Sequence, residues 1–324
     1  MKKVAMTKAI CEAIAEEMKR DDTVVVIGLE QSAGSSFGTV AGLYQEFGPE
    51  RILDMPIAEE GYTGLAVGAA ATGLRPVCEI QFNDWMTIAS DQLVNQAAFM
   101  KYMYGGAIKM PLTVRTNSGG YLSAAGQHSK SMESWFAYVP GIKVIAPATP
   151  YDAKALLKSA IREDNLVVFF EHKRLMSAKG EVSEDPDFVI PIGQADIKRE
   201  GKDVSVITYS YQVQLALKAA EALAQEGIDV EVLDLRTIKP LDTDAILATV
   251  RKTGKVLCLQ EAWRNCSVMS EVASYIAENA FEALKKPIKR INAKEAPIPF
   301  SPVLEQFVLP SEKDIVDSIR ELME

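Results

Sequence analysis

Two acids stand where an extended segment gives way to a helix: Pro56-Ile57-Ala58-Glu59-Glu60, followed by Gly61-Tyr62-Thr63-Gly64 and the run Leu65-Ala66-Val67-Gly68-Ala69-Ala70-Ala71. A carboxylate in that place can accept hydrogen bonds from the free N–H groups of the first helical turn, where the helix dipole favours negative charge. It can also hold or pass a proton, because a carboxylate at the mouth of an apolar helix is costly unless something uses it. No polar face is visible from Leu65 to Ala71, so the sequence predicts a buried helix. Its small side chains would let another chain or a cofactor approach closely.

His128 is the second candidate. It sits in Ala124-Ala125-Gly126-Gln127-His128-Ser129-Lys130, just after Asn117-Ser118-Gly119-Gly120. Glycine-rich loops after strand ends are where α/β folds place ligands, and histidine exchanges protons near neutral pH. A solvated loop histidine fits the same residues. His172, in Phe170-Glu171-His172-Lys173, reads as a structural group at a strand end. The third candidate is aromatic: in Glu79-Ile80-Gln81-Phe82-Asn83-Asp84-Trp85, Phe82 and Trp85 follow a strand and could stack on a planar ring or simply pack in the core. The dinucleotide G-x-G-x-x-G after a strand, the phosphate-binding G-x-x-x-x-G-K-[ST] and the G-x-S-x-G nucleophile elbow are all absent, which narrows the field to an acid-centred site.

Short β-branched runs alternate with helical stretches, the pattern of an α/β fold with a mainly parallel sheet. Thr7–Lys19 reads as an amphipathic helix with Ile10, Ile14 and Met18 on one face. Strands are expected at Thr23–Leu29, Pro76–Phe82, Pro111–Thr116, Ile142–Ala148 and Leu166–His172, and helices at Ile88–Met103 and Tyr151–Glu163. Thr149 would cap the latter helix, with Pro150 at its first position. Lys173–Asp203 is charged, contains Pro and Gly, and reads as an interdomain linker. A second α/β unit follows, with strands at Val204–Ser210, Val230–Leu235, Lys255–Gln260 and Ile288–Ala293. Its helices are expected at Gln212–Glu226, Asp242–Lys252, Val268–Ala283 and from Ser311.

The bulk numbers agree with this division. A chain of 324 residues suggests two domains, and 48% hydrophobic with 24% charged residues is ordinary for a soluble protein. A net charge of -9 argues against a nucleic-acid surface, and no apolar run reaches membrane-spanning length, so neither nucleic acid nor membrane is an expected partner. The N-terminus lacks the apolar run of a signal peptide. Cys11, Cys78, Cys258 and Cys266 form no CxxC pair, so neither zinc nor an iron–sulfur centre is supported and a reducing cytoplasm fits.

Taken together, Glu59, the Phe82/Trp85 pair and His128 carry a resemblance. The chain resembles the beta subunit of the thiamine-diphosphate-dependent decarboxylating component of 2-oxo acid dehydrogenase complexes. The resemblance runs through Asp54-Met55-Pro56-Ile57-Ala58-Glu59, Leu74-Arg75-Pro76-Val77-Cys78-Glu79, Gly126-Gln127-His128-Ser129, Val232-Leu233-Asp234-Leu235-Arg236-Thr237, Lys239-Pro240-Leu241-Asp242 and Ala296-Pro297-Ile298-Pro299-Phe300-Ser301. Arg75–Glu79, Pro150–Leu157 and Glu171–Lys173 look closest to acetoin dehydrogenase beta subunits, with pyruvate and branched-chain 2-oxo acid versions close behind. The implied fold is two three-layer α/β/α domains with mainly parallel sheets. These would be a transketolase-like pyrimidine-binding domain over 1–185 and a transketolase C-terminal-like domain over 186–324.

The resemblance implies that Glu59 hydrogen-bonds a ring nitrogen of the cofactor's aminopyrimidine. That contact favours the imino tautomer, which deprotonates the thiazolium carbon. His128 would sit near the reacting substrate, guiding proton transfer or handover of the acyl group to a lipoyl arm. Phe82 and Trp85 would flank the aminopyrimidine. A structural potassium ion would sit on the backbone carbonyls of Leu112, Ala160, Ile161, Glu163 and Asn165. Three departures from the family pattern stand out. After the first strand the chain reads Gly28-Leu29-Glu30-Gln31, so either Glu30 takes the usual acidic cofactor-binding place through a one-residue shift or that contact is lost. The Ser32–Thr39 loop is shorter and richer in Ser and Gly, and Trp85 replaces a Phe or Tyr.

No Gly-Asp-Gly occurs, the segment through which enzymes of this kind hold diphosphate and magnesium. The resemblance therefore implies a separate alpha chain that supplies Mg²⁺ and diphosphate ligands, an active site shared between chains, and an assembly of two alpha and two beta chains. A dihydrolipoyl acyltransferase core with its lipoyl domain would accept the acyl group. The rival readings are a non-catalytic assembly subunit and a transketolase-like half-enzyme with another substrate.

Overall fold

The computed structural model describes residues 1–324. Two compact units emerge: Met1–Ser118 with Trp135–Ile192, and Gly119–Ser134 with Gly193–Glu324. The sequence places a boundary at 185/186; the observed changeover lies at 192/193, and the 119–134 loop groups with the second unit.

The first unit contains β1 (Lys2–Ala5), α1 (Met6–Arg20), β2 (Val24–Gly28), α2 (Leu43–Phe47), β3 (Ile52–Asp54), α3 (Glu59–Ala71), β4 (Arg75–Ile80), α4 (Ala98–Met103) and β5 (Thr113–Ser118). After α5 (Glu133–Ala137), which begins at the unit boundary, come β6 (Lys143–Ile145), α6 (Pro150–Arg162), β7 (Val167–His172) and β8 (Lys179–Val182). Its six central strands are parallel, in the order β6-β7-β5-β4-β2-β3. Strands β2, β5 and β7 are buried along their whole length; β2 reads accordingly as a continuous apolar run, whereas β5 and β7 also carry the buried polar residues Arg115, Asn117 and Glu171. Helix α1 turns Ile10, Ile14 and Met18 inward as its periodicity predicts. It is tied to α6 by Arg162, whose Nε and Nη2 donate to Glu17 at 2.7–3.0 Å. Helix α6 begins as expected, with Thr149 Oγ1 accepting the Asp152 N–H at 3.2 Å and Pro150 in the first turn.

The second unit holds β9 (Asp196–Arg199), β10 (Val204–Thr208), α7 (Tyr211–Ala224), β11 (Val230–Asp234), β12 (Thr237–Lys239), α8 (Thr243–Thr253) and β13 (Val256–Trp263). It continues with α9 (Val268–Asn279), β14 (Lys289–Ala293), α10 (Pro302–Val308) and α11 (Glu312–Met323). Its sheet runs β14-β13-β10-β11-β9, parallel except for β9, which pairs antiparallel with β11.

Four expectations need correction. Ile88–Met103 is not one α-helix: a 3-10 turn at Asn83–Thr87 and a π-helical stretch at Asp91–Ala97 precede α4, so the backbone changes pitch twice. The linker read at Lys173–Asp203 contains β8, paired with β1, and β9; backbone pairing rather than side-chain pattern places them. The expected elements pass from Ile288–Ala293 directly to the helix from Ser311, whereas Pro302–Val308 forms α10 between them. Helix α3 is not fully buried: Tyr62, Ala66, Val67 and Ala70 face inward, whereas Leu65 is 49% exposed and Gly61 and Gly68 are open. A helix without a polar face need not be buried in its own chain.

Candidate active site

The carboxyl ends of the first unit's strands gather the chemistry, as expected for an open parallel sheet. Glu59 is the first residue of α3 and is half-buried. Its carboxylate has no hydrogen-bond partner or ion pair in the chain. One turn on, Tyr62 is 4% exposed, and burial, reinforced by the nearby Glu59 and Glu79 carboxylates, pushes its phenol well up. Burial pushes the Cys78 thiol up to about 12, so it stays protonated. Glu59 therefore stands at the edge of a dry region with its charge uncommitted.

Beneath lies a buried polar network. Strand register sets Gly28 beside Glu79, Glu79 beside Arg115 and Asn117 beside Glu171. Arg115 Nε and Nη2 donate to the two Glu171 oxygens at 2.6 and 2.9 Å, and Nη2 lies 3.8 Å from Glu79 Oε1. Gln31 Nε2 donates to Glu79 Oε2 at 2.6 Å and Thr39 Oγ1 to Glu79 Oε1 at 3.4 Å. Two carboxylates share one guanidinium, and burial pushes Glu171 up to about 7 despite Arg115. Gly28 is required here: a Cβ would meet the Glu79 carbonyl oxygen at 2.9 Å and Gln31 Nε2 at 3.0 Å.

Phe82 caps the 3-10 turn that carries Trp85, and both are half-buried. The Phe37 ring meets the Phe82 ring edge-on at 5.9 Å, and Lys173 Nζ lies 4.9 Å from the Phe82 centroid. Phe37 belongs to the unusual Ser32–Thr39 loop, so that loop braces one of the expected stacking residues. Glu30 is exposed, with φ 56°, and its Oε2 accepts from Ser36 Oγ at 3.4 Å; Ser36 Oγ also donates to Gln81 Oε1 at 2.5 Å. Glu30 and Phe82 are thus joined through Ser36 and Gln81, whereas Glu59 is bonded to neither. Gln31, not Glu30, turns into the buried network.

Two of the expected potassium ligands are engaged by Arg75. Its Nη1 donates to the Ile161 and Glu163 carbonyls at 3.2 and 3.1 Å. The Leu112 carbonyl accepts the Val167 N–H at 2.9 Å and that of Ala160 the Glu163 N–H at 3.2 Å. Asn165 uses its side chain toward Lys101 and Glu163. This donor set fits a cation only in part, because a guanidinium already serves two of its five oxygens.

In the second unit, the Gly119 N–H donates to the Lys130 carbonyl at 2.9 Å, closing a loop in which His128 is half-buried. The His128 N–H donates to the Ala125 carbonyl at 3.3 Å. His172, by contrast, is 4% exposed and its Nδ1 accepts the Arg174 N–H at 3.1 Å, a strand-end cap.

Sequence reasoning missed Gln31, Phe37, Glu79, Arg115 and Glu171. One signal was available: an arginine inside the apolar strand run Pro111–Thr116 must be buried, and a buried guanidinium demands carboxylate partners.

Fold and site together define a two-domain α/β protein with an acid-centred site at the carboxyl end of a parallel sheet. Residues 2–179 match the transketolase pyrimidine-binding domain and 193–315 the transketolase C-terminal domain. The chain is 44% identical to the acetoin:2,6-dichlorophenolindophenol oxidoreductase subunit beta of Bacillus subtilis (strain 168), covering 99% of this chain and 97% of that one. It is 45% identical to the 2-oxoisovalerate dehydrogenase subunit beta of the same organism, covering 98% and 97%. It is 42% identical to the pyruvate dehydrogenase E1 component subunit beta of Rickettsia felis (strain ATCC VR-1525 / URRWXCal2), covering 98% of each. The protein belongs to this family of transketolase-like dehydrogenase beta subunits. A solved structure described as a split-gene transketolase, inactive beta4 tetramer, shares the fold at TM-score 0.78 and 23% identity, covering 99% of this chain and 98% of that one.

Proposed function

We propose that this chain is the beta subunit of a thiamine-diphosphate-dependent dehydrogenase acting on acetoin or a 2-oxo acid, and that it binds the aminopyrimidine half of the cofactor. The observation that carries this reading is the uncommitted Glu59 carboxylate at the start of α3, inside the segment that matches the pyrimidine-binding domain. When bound, thiamine diphosphate supplies the carbon nucleophile and electron sink for cleaving the bond beside a carbonyl. Glu59 would hold and exchange a proton with a ring nitrogen, and Phe82, braced by Phe37, would offer a planar face. Trp85 would shape the substrate side, and His128 would move a proton at the substrate oxygen or during handover to a lipoyl arm.

The diphosphate end needs other ligands. The chain has no Gly-Asp-Gly, and none of its His, Cys, Asp and Glu side chains form a group of three or more placed for a metal ion. An alpha chain would therefore supply Mg²⁺ and diphosphate ligands, and the open Gly61–Leu65–Gly68 face of α3 suits close approach by another chain. A second beta chain and a dihydrolipoyl acyltransferase with its lipoyl domain complete the proposed assembly. A potassium ion, if held, would use the Leu112, Ala160 and Asn165 carbonyls. No helix is long and apolar enough to cross a membrane, and a cytoplasmic location is part of the proposal.

Calorimetry with thiamine diphosphate and Mg²⁺ tests the reading, first on this chain alone and then with a candidate alpha chain. Binding only in the mixture supports a shared site; assays on acetoin, pyruvate and branched-chain 2-oxo acids then define the substrate. Tight metal-dependent binding by this chain alone would overturn the two-chain reading.

A further inference from the structure

The loop leading to His128 is strained. Three residues that are not glycine adopt left-handed backbone within five positions: Tyr121 (φ 64°), Ser123 (φ 53°) and Ala125 (φ 62°). Each costs roughly 1–2 kcal/mol relative to right-handed backbone, so the segment relaxes unless its surroundings over-determine it.

Here two of the chain's own carboxylates bind the loop backbone. Glu261, on β13, accepts the Gly120 N–H through Oε1 at 2.6 Å. Glu305, on α10, accepts the Ser123 N–H at 2.9 Å and Ser123 Oγ at 3.3 Å through Oε2. Both carboxylates are nearly inaccessible, Glu261 at 6% and Glu305 at 3% exposure. Gly120 leaves them room: a Cβ there would come within 2.7 Å of Leu309 Cδ1, 3.3 Å of Glu305 Oε1 and 3.6 Å of Glu261 Oε1. Tyr121 adds a neutral tie, its hydroxyl donating to the Pro310 carbonyl at 2.8 Å while accepting from Gln212 Nε2 at 2.8 Å. The last of these bonds, at Ser123, lies two residues before Ala125, whose carbonyl receives the His128 N–H.

We propose that Glu305 and Glu261 are positioning residues for His128: together they hold the 120–125 backbone in its left-handed form and so set where the imidazole is presented. The proposal rests on the functional role given above to His128. The two buried carboxyl groups do not touch substrate or cofactor in this account; they act through the loop.

The chain has only two histidines, which makes the test direct. The Cε1–H signals of His128 and His172 are assigned by substituting His172, and amide exchange is followed over 120–128 in the full-length chain. Glu305→Ala is expected to shift or split the His128 signal, leave His172 unmoved, and speed exchange over 120–128 by roughly 10–100-fold, the range for losing a charge-assisted hydrogen bond. Glu305→Gln, which keeps an acceptor oxygen, restores most of both. Should Glu305→Ala not fold, Tyr121→Phe is expected to move the same signal by less. In the assembly with its alpha chain, Glu305→Ala is expected to lower kcat roughly tenfold at unchanged cofactor KM, the signature of a group needed only in the reaction step. An unmoved His128 signal with unchanged exchange overturns the proposal, whatever happens to turnover. If the wild-type assembly shows no thiamine-dependent turnover, the functional reading falls, while the signal and exchange still decide whether the carboxylates hold the loop.

Discussion

Arg115 grips Glu171 with two hydrogen bonds of 2.6 and 2.9 Å, at a depth where Arg115 is fully enclosed and Glu171 is 3% exposed. A second carboxyl group, that of Glu79, lies 3.8 Å from the same guanidinium. Removing Glu171 leaves the buried guanidinium with only the more distant Glu79. Glu171→Gln is expected to cost about 3–5 kcal/mol of stability, read as a lowered midpoint in urea at unchanged slope. A loss under about 1 kcal/mol would show that Glu79 alone satisfies Arg115.

Glu59 makes no such structural contribution. Its carboxylate has no partner to lose, so Glu59→Gln is expected to leave the melting temperature within a degree or so of wild type, as for a surface substitution. Turnover in the assembly with an alpha chain is expected to fall by roughly 10²–10⁴-fold, the usual loss for a proton-transfer group. Full retained turnover would favour the rival reading of a non-catalytic assembly subunit.

Phe37 offers a graded test of the aromatic face. Its edge-on contact with Phe82 belongs to a class worth about 0.5–1.5 kcal/mol. Phe37→Ala is therefore expected to weaken thiamine diphosphate binding by roughly 2–10-fold, measured by titrating the assembly. Cofactor affinity that does not move would separate Phe82 from cofactor binding.

The buried acid Glu133 gives the second unit a pH signature. Burial pushes its carboxyl from an ordinary 4.5 up to about 8, with the charge of Glu261 adding in the same direction. The native chain thus keeps a proton that the unfolded chain releases above 4.5. The linked stability is fully present below the unfolded value and is lost progressively as pH rises toward 8. Glu133→Gln cannot ionise, so its melting temperature relative to wild type is expected to climb from pH 5 to pH 8. A difference that is flat across that range would refute the assignment.

Much of the layout could be read without coordinates. The β-branched runs at Val24–Gly28 and Val167–His172, the Thr149-Pro150 helix start and the Ile10/Ile14/Met18 face are local patterns, and local physics decides them. Glu59, Phe82 and His128 stand out as candidates because their neighbours are unusual for a core. The exposed face of α3 was not visible: Leu65 and Gly68 carry no polar signal, and their burial depends on what surrounds the helix. Strands β8 and β9 were missed for a related reason, since partners far along the chain create them.

What this sequence determines by itself is the order and type of its main elements, its two-domain division in outline, and the chemistry it can bring, because propensity, periodicity and residue type act over a few neighbours. Only the tertiary structure decides which polar groups are committed. Arg115 meets Glu171 from 56 residues away, Gln31 meets Glu79 from 48, and Glu305 reaches Ser123 across 182. Each pairing follows from strand register or loop closure, and the desolvation cost of a buried charge then makes that partner obligatory.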